Sequence, residues 1–353
     1  MTKYKFDEIA INSTQKKKPT EEDKVYYIGL EHIDPGCFDV VRWGSDVAPT
    51  GDKLLMQKGD VLFGKRRAYQ RKVAIAPFDG IFSAHGMVLR PNLKVIDANY
   101  FPFFISSDKF METAVRISVG GLSPTINWKD LARQEFELPS LDEQKVLADK
   151  LWAAYRLKEA YKKLLVATDE MVKSQFIEMF GDPMTNTKAW GEFGYIGNYT
   201  QIVLGSTPNS KNSSYWNGEI KWITPAEMTE ESYYIYDTER HLTEEGLKAA
   251  NLTLLPCRSV LFSTRAPIGK VGLVGSPMYC NQGFKNFVCG DQLNPVYLYY
   301  SLIFKREYLV SLGTGTTFKE LSKKAVENLK IAVPPLILQN KFEEIYQQAD
   351  KSK

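Results

Sequence analysis

The sequence predicts an α/β (α+β) protein made of two repeated domains separated by a long helix of coiled-coil type. Three observations predict it. Short strand-like segments recur in the same order in both halves of the chain. Gly, Pro, Asn and Asp punctuate the turns between those segments. One stretch, Asp142 to Phe180, holds neither Pro nor Gly.

The repeat is read from six matches in one order. Tyr27-Ile28 fits Trp222-Ile223, and Val61-Leu62-Phe63 recurs as Val260-Leu261-Phe262. With one gap, Arg67-Ala68 matches Arg265-Ala266, and Lys72-Val73 matches Lys270-Val271. Ile81-Phe82-Ser83-Ala84-His85-Gly86 aligns with Met278-Tyr279-Cys280-Asn281-Gln282-Gly283. Finally, Leu138-Pro139-Ser140-Leu141 with Gln144 matches Val333-Pro334-Pro335-Leu336 with Gln339. In each copy the Val-Leu-Phe segment is a strand, and Val73–Ala76 and Val271–Val274 are second strands. Asn99–Ile117 and Asn294–Leu312 have helical spacing.

The stretch between the copies reads as one helix, with acidic residues in its first turn and Gly181-Asp182-Pro183 as its stop. Steps of four and three from residue 147 give Leu147, Leu151, Ala154, Lys158, Tyr161, Leu165, Thr168, Val172, Gln175 and Met179, a largely apolar seam. The alternative is an amphipathic helix lying on a globular core. Its length, about 58 Å, argues for a spacer. A second such helix starts after Pro334-Pro335, but only its beginning is present, so it is either naturally short or truncated.

Composition removes several function classes. The 353 residues suit two domains and a sizeable core without metal or disulfide staples. A net charge of +3 excludes a polybasic chain that coats nucleic acid or anionic membrane by bulk charge. Cys37, Cys257, Cys280 and Cys289 form no CxxC pair, so neither a zinc site nor a disulfide framework is indicated. Cys280 and Cys289 read as half-buried thiols of a reduced cytosolic protein. The charged N-terminus lacks a signal core, and no apolar run is long enough to span a membrane.

Catalytic patterns are missing as well. There is no phosphate-binding GxxxxGK[ST] loop and no HExxH. Gly120-Gly121 and Gly313-Thr314-Gly315 read as structural turns. Asn294-Pro295-Val296-Tyr297 faintly resembles an amino-methyltransferase motif, but its third position is Val and no glycine-rich cofactor loop precedes it. His32, His85 and His241 have no nucleophile at a recognisable spacing. The looser Asp…Glu-x-Lys nuclease pattern does not stand out.

Binding chemistry is more visible. Gly64-Lys65-Arg66-Arg67-Ala68-Tyr69-Gln70-Arg71-Lys72 is a strongly basic loop between two strands, with Tyr69 inside it. Its Lys and Arg can neutralise phosphates, and Arg can pair bidentately with guanine. A single run of this kind reads equally as a solvated charge cluster. Arg265, Lys270 and Lys285 at the corresponding place in the second copy favour binding. His85 and Asn281-Gln282 follow the next strand in each copy. Asn and Gln suit adenine edges but are also ordinary turn residues. Gly205-Ser206-Thr207-Pro208-Asn209-Ser210-Lys211-Asn212 is either a donor-rich loop for phosphates or bases, or merely flexible. Ser206, Thr207, Asn209 and Lys211 are its candidates.

Two α/β repeats, each followed by a Pro-x-Leu-x-x-Gln run into a long helix, resemble the DNA-specificity subunit of type I restriction–modification systems. The resemblance rests on Leu138–Gln144, Gln175–Pro183, Gly205–Pro208, Tyr215–Ile223 and the Val-Leu-Phe strands. Leu338 departs from it, standing where an acidic residue is expected before Gln339. The resemblance implies target-recognition domains at 1–141 and 181–335, a spacer helix at 142–180 and the start of a second spacer helix at 336–353. It further implies antiparallel helices in a pseudo-two-fold arrangement. Each domain would read one half of a split site in double-stranded DNA. Leu147, Leu151, Tyr161, Leu165, Val172 and Met179 would hold the spacer or partner contacts. The chain would be non-catalytic, cytoplasmic and away from membranes, and would bind no cofactor. It would dock two modification subunits, which carry S-adenosylmethionine and methylate adenine, and through them the restriction subunits. Two rival classes remain: a stand-alone DNA methyltransferase or nuclease, and a scaffold that binds protein only.

Overall fold

The structure is a computed structural model, and it describes residues 1–229, 233–265, 267–314 and 319–351. Ala266 and Gly315 of the sequence reading lie outside the described residues. The chain divides into two compact units, Met1–Tyr161 (unit 1) and Lys162–Lys353 (unit 2).

Each unit is built on the strand that reads Val-Leu-Phe. In unit 1, Val61–Phe63 lies between Met87–Pro91 and Val73–Ile75, with Ala10–Ser13 beyond. In unit 2, Val260–Phe262 lies between Lys285–Cys289 and Val271–Val274, with Thr200–Leu204 and Tyr234–Ile235 at the edges. Side chains alternate across a strand. Val61 and Phe63 therefore enter one core and Leu62 another, as Val260 and Phe262 do opposite Leu261. All six are at most 2% exposed, and burying each contributes about 2 kcal/mol. A strand covered on both faces favours an unbroken apolar run, which the triplet supplies in both units.

A smaller sheet in each unit also repeats. Tyr27–Ile28 runs parallel to Gly80–Phe82, and the end of Trp216–Ile223 runs parallel to Tyr279–Cys280. These ladders correct the sequence alignment by one residue. Phe82 pairs with Ile28 and Cys280 with Ile223, so Phe82 corresponds to Cys280, Ser83 to Asn281 and His85 to Gly283. Residue identity favours matching the shared glycines, Gly86 and Gly283. The register follows backbone bonds instead: Ser83 N to Ile28 O at 2.9 Å and Asn281 N to Ile223 O at 3.0 Å. Cys280 is fully rather than half buried, and burial pushes its thiol up to about 12.

The central helix spans Leu141–Phe180, 40 residues and roughly 60 Å. Ser140 and Glu143 form a capping box at its start: Ser140 N donates to Glu143 Oε2 at 2.9 Å, and Glu143 N to Ser140 Oγ at 3.4 Å. The stop is Gly181, whose φ of 74° is cheap only for glycine, with its N–H on Ile177 O. The apolar seam is not uniform. Leu147, Leu151, Tyr161 and Leu165 are exposed, whereas Val172 is buried in the unit 2 core with Met179 packed against it. The two shorter helical stretches are each broken once. Phe101–Ser106 yields to Asp108–Arg116 at the cap residue Ser107, and Pro295–Phe304 yields to Arg306–Ser311 at Lys305.

The glutamines of the repeat are fully buried clamps. Gln144 Oε1 accepts from Asp97 N at 2.8 Å, and its Nε2 donates to Val95 O and Pro139 O at 3.1 and 3.0 Å. Gln339 does the same with Asn294 N at 2.8 Å, Gln292 O at 3.1 Å and Pro334 O at 2.7 Å. Each ties the start of the unit's last helix to the loop that launches an earlier one, Phe101–Ser106 or Pro295–Phe304. Gln339→Ala strands one buried N–H and two carbonyls, and should destabilise unit 2 by about 3 kcal/mol. Urea unfolding followed by tryptophan fluorescence checks this, and an unchanged midpoint would show that the clamp contributes nothing.

Candidate nucleic-acid interface

In unit 1 the basic segment is the tip of the hairpin that joins Val61–Phe63 to Val73–Ile75, closed by Gly64 N on Lys72 O at 2.9 Å. Arg67 and Arg71 flank a short 3-10 turn, Ala68–Gln70, with φ of 56° and 53°. Left-handed backbone at two non-glycine residues is costly and points to a constrained loop. Arg67 donates through Nε and Nη2 to Ser123 Oγ, at 3.1 and 3.0 Å. Arg71 is held by Asp108 at 2.6 Å and Ser106 O at 3.1 Å. Tyr69 stands 54% exposed beside them, free to stack.

The structure brings His85 to this loop. Arg66 N donates to His85 O at 3.1 Å, and Arg66 Nη1 lies 3.4 Å from His85 Nε2. Burial, followed by the charges of Arg66, Lys65 and Lys53, holds the imidazole below its ordinary pKa. Burial and nearby Lys16 lower Lys65 in the same sense. The patch is thus a set of like charges around an imidazole whose protonated form they disfavour.

In unit 2 the structure joins two segments that are far apart in sequence. Thr207 Oγ1 donates to Gln282 Oε1, so the polar loop and the Asn281-Gln282 turn form one patch. Ser206 N donates to Cys280 O at 3.0 Å. Gly205 is required here because a Cβ would lie 1.9 Å from Asn281 O. Asn281 Oδ1 caps its own turn by accepting from Gly283 N at 2.9 Å, which leaves Gln282 as the exposed amide. Asn209 Oδ1 accepts from Lys211 N at 3.0 Å, and Asn209, Lys211 and Thr207 are exposed.

Sequence reasoning missed what holds that loop. Trp222 Nε1 donates to Ser206 O at 3.0 Å and Trp216 Nε1 to Asn209 O at 3.3 Å. Arg240 lies over the Trp216 ring at 3.6 Å, adding a cation to the patch. The signal was the pair of tryptophans in the strand Trp216–Ile223: buried indoles must find acceptors.

Four more basic candidates have protein partners. Lys285 is buried and donates to Thr264 Oγ1 at 3.1 Å and Glu320 Oε1 at 3.0 Å, so its ammonium does not face a ligand. Lys270 Nζ donates to Pro225 O and Met228 O at 2.9 and 2.5 Å, and Lys72 Nζ to Leu30 O at 2.6 Å. These two equivalent lysines are struts that bind the loop after the Tyr27–Ile28 and Trp216–Ile223 strands. Arg265 pairs with Glu320 at 2.8 Å while staying half exposed. Burial raises the Glu320 carboxyl, but Lys285 and Arg265 outweigh this and hold it below the usual range. Arg66 bridges to Thr125 as Arg265 bridges to Glu320, so Arg66 rather than Arg67 is the counterpart of Arg265. Asn294 is a helix cap, its Oδ1 accepting from Val296 N at 2.8 Å, which accounts for the Asn-Pro pair without a methyltransferase site.

Among the described residues no cluster of three or more His, Cys, Asp or Glu could hold a metal, and no helix is long and apolar enough to cross a membrane. The electrostatics of the unit 1 patch predict a titration. Arg66→Ala removes one of the cations around His85 and should raise the imidazole midpoint, as followed by its NMR shift against pH. A midpoint that stays put would leave burial as the cause.

Comparison with known proteins gives one answer. The family model for the type I restriction modification DNA specificity domain matches residues 3–165 and 192–353. The chain is 38% identical over 137 residues to the type I restriction enzyme MjaIX specificity subunit of Methanocaldococcus jannaschii, covering 38% of this chain and 32% of that relative. It is 26% identical over 344 residues to the putative MjaX specificity subunit of the same organism, covering 89% of this chain and 78% of the relative. Its fold is similar to the crystal structure of the type I restriction–modification S subunit from M. genitalium, with a TM-score of 0.62 and 14% identity over 99% of this chain and 89% of that one. The chain belongs to the family of type I restriction modification DNA specificity domains and carries two copies of the domain.

Proposed function

We propose that this chain is the DNA-reading subunit of a type I restriction–modification complex, each unit reading one half of a bipartite double-stranded site. One observation carries the proposal: the two units share the order of their four central strands and the glutamine clamp, yet place different side chains at matching turns. Unit 1 presents Lys65, Arg66, Arg67, Tyr69 and His85. Unit 2 presents Thr207, Asn209, Lys211, Arg265 and Gln282. A reader of two unlike half-sites needs this combination of one scaffold and two sets of contacts. Arg, Lys and Tyr serve phosphates and guanine edges, and Gln serves adenine. Lys72, Arg71 and Lys270 support the loops in this reading, and Lys285 lies beneath the surface.

Catalysis falls to partners in this reading. Two modification subunits carry S-adenosylmethionine and methylate adenine, docked along the central helix, and restriction subunits join through them in the cytoplasm. The helix between 142 and 180 acts as a spacer between domains at 1–141 and 181–335. A net charge of +3 fits a reader that must leave non-specific DNA easily.

Replacing residues 196–332 with the matching segment of a relative should change one half-site in the adenine-methylation map of the assembled complex and leave the other intact. Changes in both half-sites would refute separate readers. Arg66→Ala with Arg67→Ala should weaken DNA binding and reduce the slope of log affinity against log salt by about 2. An unchanged slope would return this loop to a solvated charge cluster.

A further inference from the structure

Arg240 is held on a cradle of two indoles in unit 2. Its strand, Arg240–Leu242, pairs antiparallel with Trp216–Ile223, placing Arg240 opposite Trp222 and Leu242 opposite Trp216. Residues two apart on a strand share a face, so Arg240 meets both tryptophans. A register shift between Trp216 and Ile220, with Asn217 at a φ of 64°, brings the two rings to 5.1 Å at 75°. The guanidinium rests over them, 3.6 Å from the Trp216 centroid and 5.4 Å from that of Trp222. Both rings are buried, while Arg240 is exposed. The backbone is fixed as well. Thr238 Oγ1 accepts from Trp222 N at 3.1 Å and donates to Arg240 O at 2.9 Å, and Glu239 N donates to Glu227 Oε2 at 2.7 Å.

This guanidinium is oriented yet uncommitted. Arg67, Arg71 and Arg265 of the two patches donate to Ser123, Asp108 and Glu320. Among the described residues none accepts from the N–H groups of Arg240. A ring stack occupies the face of a guanidinium and leaves the donors at its edge. The same two indoles hold Ser206 O and Asn209 O, so Arg240 and the exposed Thr207 and Asn209 are presented by one support. Unit 1 is built differently here: Tyr27 stands at the place of Trp222 and meets His32 edge-on at 5.9 Å.

We infer that Arg240 is a base-reading residue of unit 2, donating bidentately to O6 and N7 of a guanine in its half-site. The inference rests on this chain being the DNA-reading subunit. Bidentate reading of a base edge needs a planar fork at a fixed angle, whereas a phosphate needs only a charge. The indole cradle supplies the angle before DNA arrives, so little side-chain freedom is lost on binding.

The test selects sites from a random double-stranded DNA library with the assembled complex, carrying the unaltered chain, Arg240→Lys or Arg240→Ala. The unaltered complex should prefer a G·C pair at one position of the half-site that changes when residues 196–332 are swapped. Arg240→Lys should lower that preference at least about tenfold and leave the slope of log affinity against log salt unchanged, because the charge stays while the fork goes. The other positions and the second half-site should keep their preferences. A preference kept in Arg240→Lys, with a slope lowered by about 1 in Arg240→Ala, would make Arg240 a phosphate contact and overturn the inference. Loss at every position of the half-site would make it a brace for the polar loop, and would overturn it too. So would two variants that select like the unaltered chain. In these three cases the DNA reading stands, because a half-site still follows unit 2. If no half-site follows the swap, both fall together.

Discussion

The buried glutamine clamp is the constraint from which the rest of each unit follows. A helix that leaves a domain keeps a fixed direction relative to it only if its first turn is fixed to that domain's body. Gln144 and Gln339 achieve this with a side chain that both accepts and donates, joining three backbone groups from two segments in a site closed to water. In a low-dielectric site each of these bonds is strong and each loss is costly. Only Asn shares this planar set of one acceptor and two donors, on a stem one methylene shorter, and the clamp is present in both copies while the cap before it is not. Ser140 and Glu143 cap the central helix, whereas Pro335 and Leu338 stand at the same places before Gln339.

Much of this was legible in the sequence because burial imposes simple patterns. The Val-Leu-Phe triplets, the Pro-x-Leu-x-x-Gln runs and the unbroken central helix each reflect one local rule, and each occurs where expected. The one-residue slip at Ile81–Gly86 had a different origin. Two glycines with unrelated roles were aligned by identity, when backbone pairing to Ile28 and Ile223 decides the register. The division of the seam was equally hidden. Heptad spacing identifies an apolar side but not what covers it, and Val172 and Met179 are covered by aromatic residues from beyond position 290.

The site was legible in outline, not in assignment. A lysine in sequence is a positive charge of unknown destination. Lys65 and Arg66 reach the hairpin tip, while Lys72 and Lys270 turn inward to carbonyls and Lys285 meets Glu320. Composition cannot separate these, because a long flexible stem lets the same side chain serve a phosphate or a buried acceptor. The anchoring role of Trp216 and Trp222 is hidden in the sequence for the opposite reason. Their function is to fix the loop that carries Thr207 and Asn209, and only the structure shows which carbonyls their indoles reach.

The two patches therefore differ in kind as well as in residues. Unit 1 concentrates charge: Arg66, Lys65 and Lys53 act on His85, and Asp108 is taken by Arg71. Unit 2 cancels much of its own charge, because Glu320 sits at the bridge position held by Thr125 in unit 1 and absorbs both Arg265 and Lys285. What remains exposed there is mostly neutral donors and acceptors, Thr207, Asn209 and Gln282, with Lys211 and the stacked Arg240 at the margin. Charge gives affinity that is indifferent to sequence, whereas fixed neutral hydrogen-bonding groups discriminate between base edges. One scaffold, used twice, can thus weight attraction towards one unit and discrimination towards the other while the chain as a whole stays close to neutral.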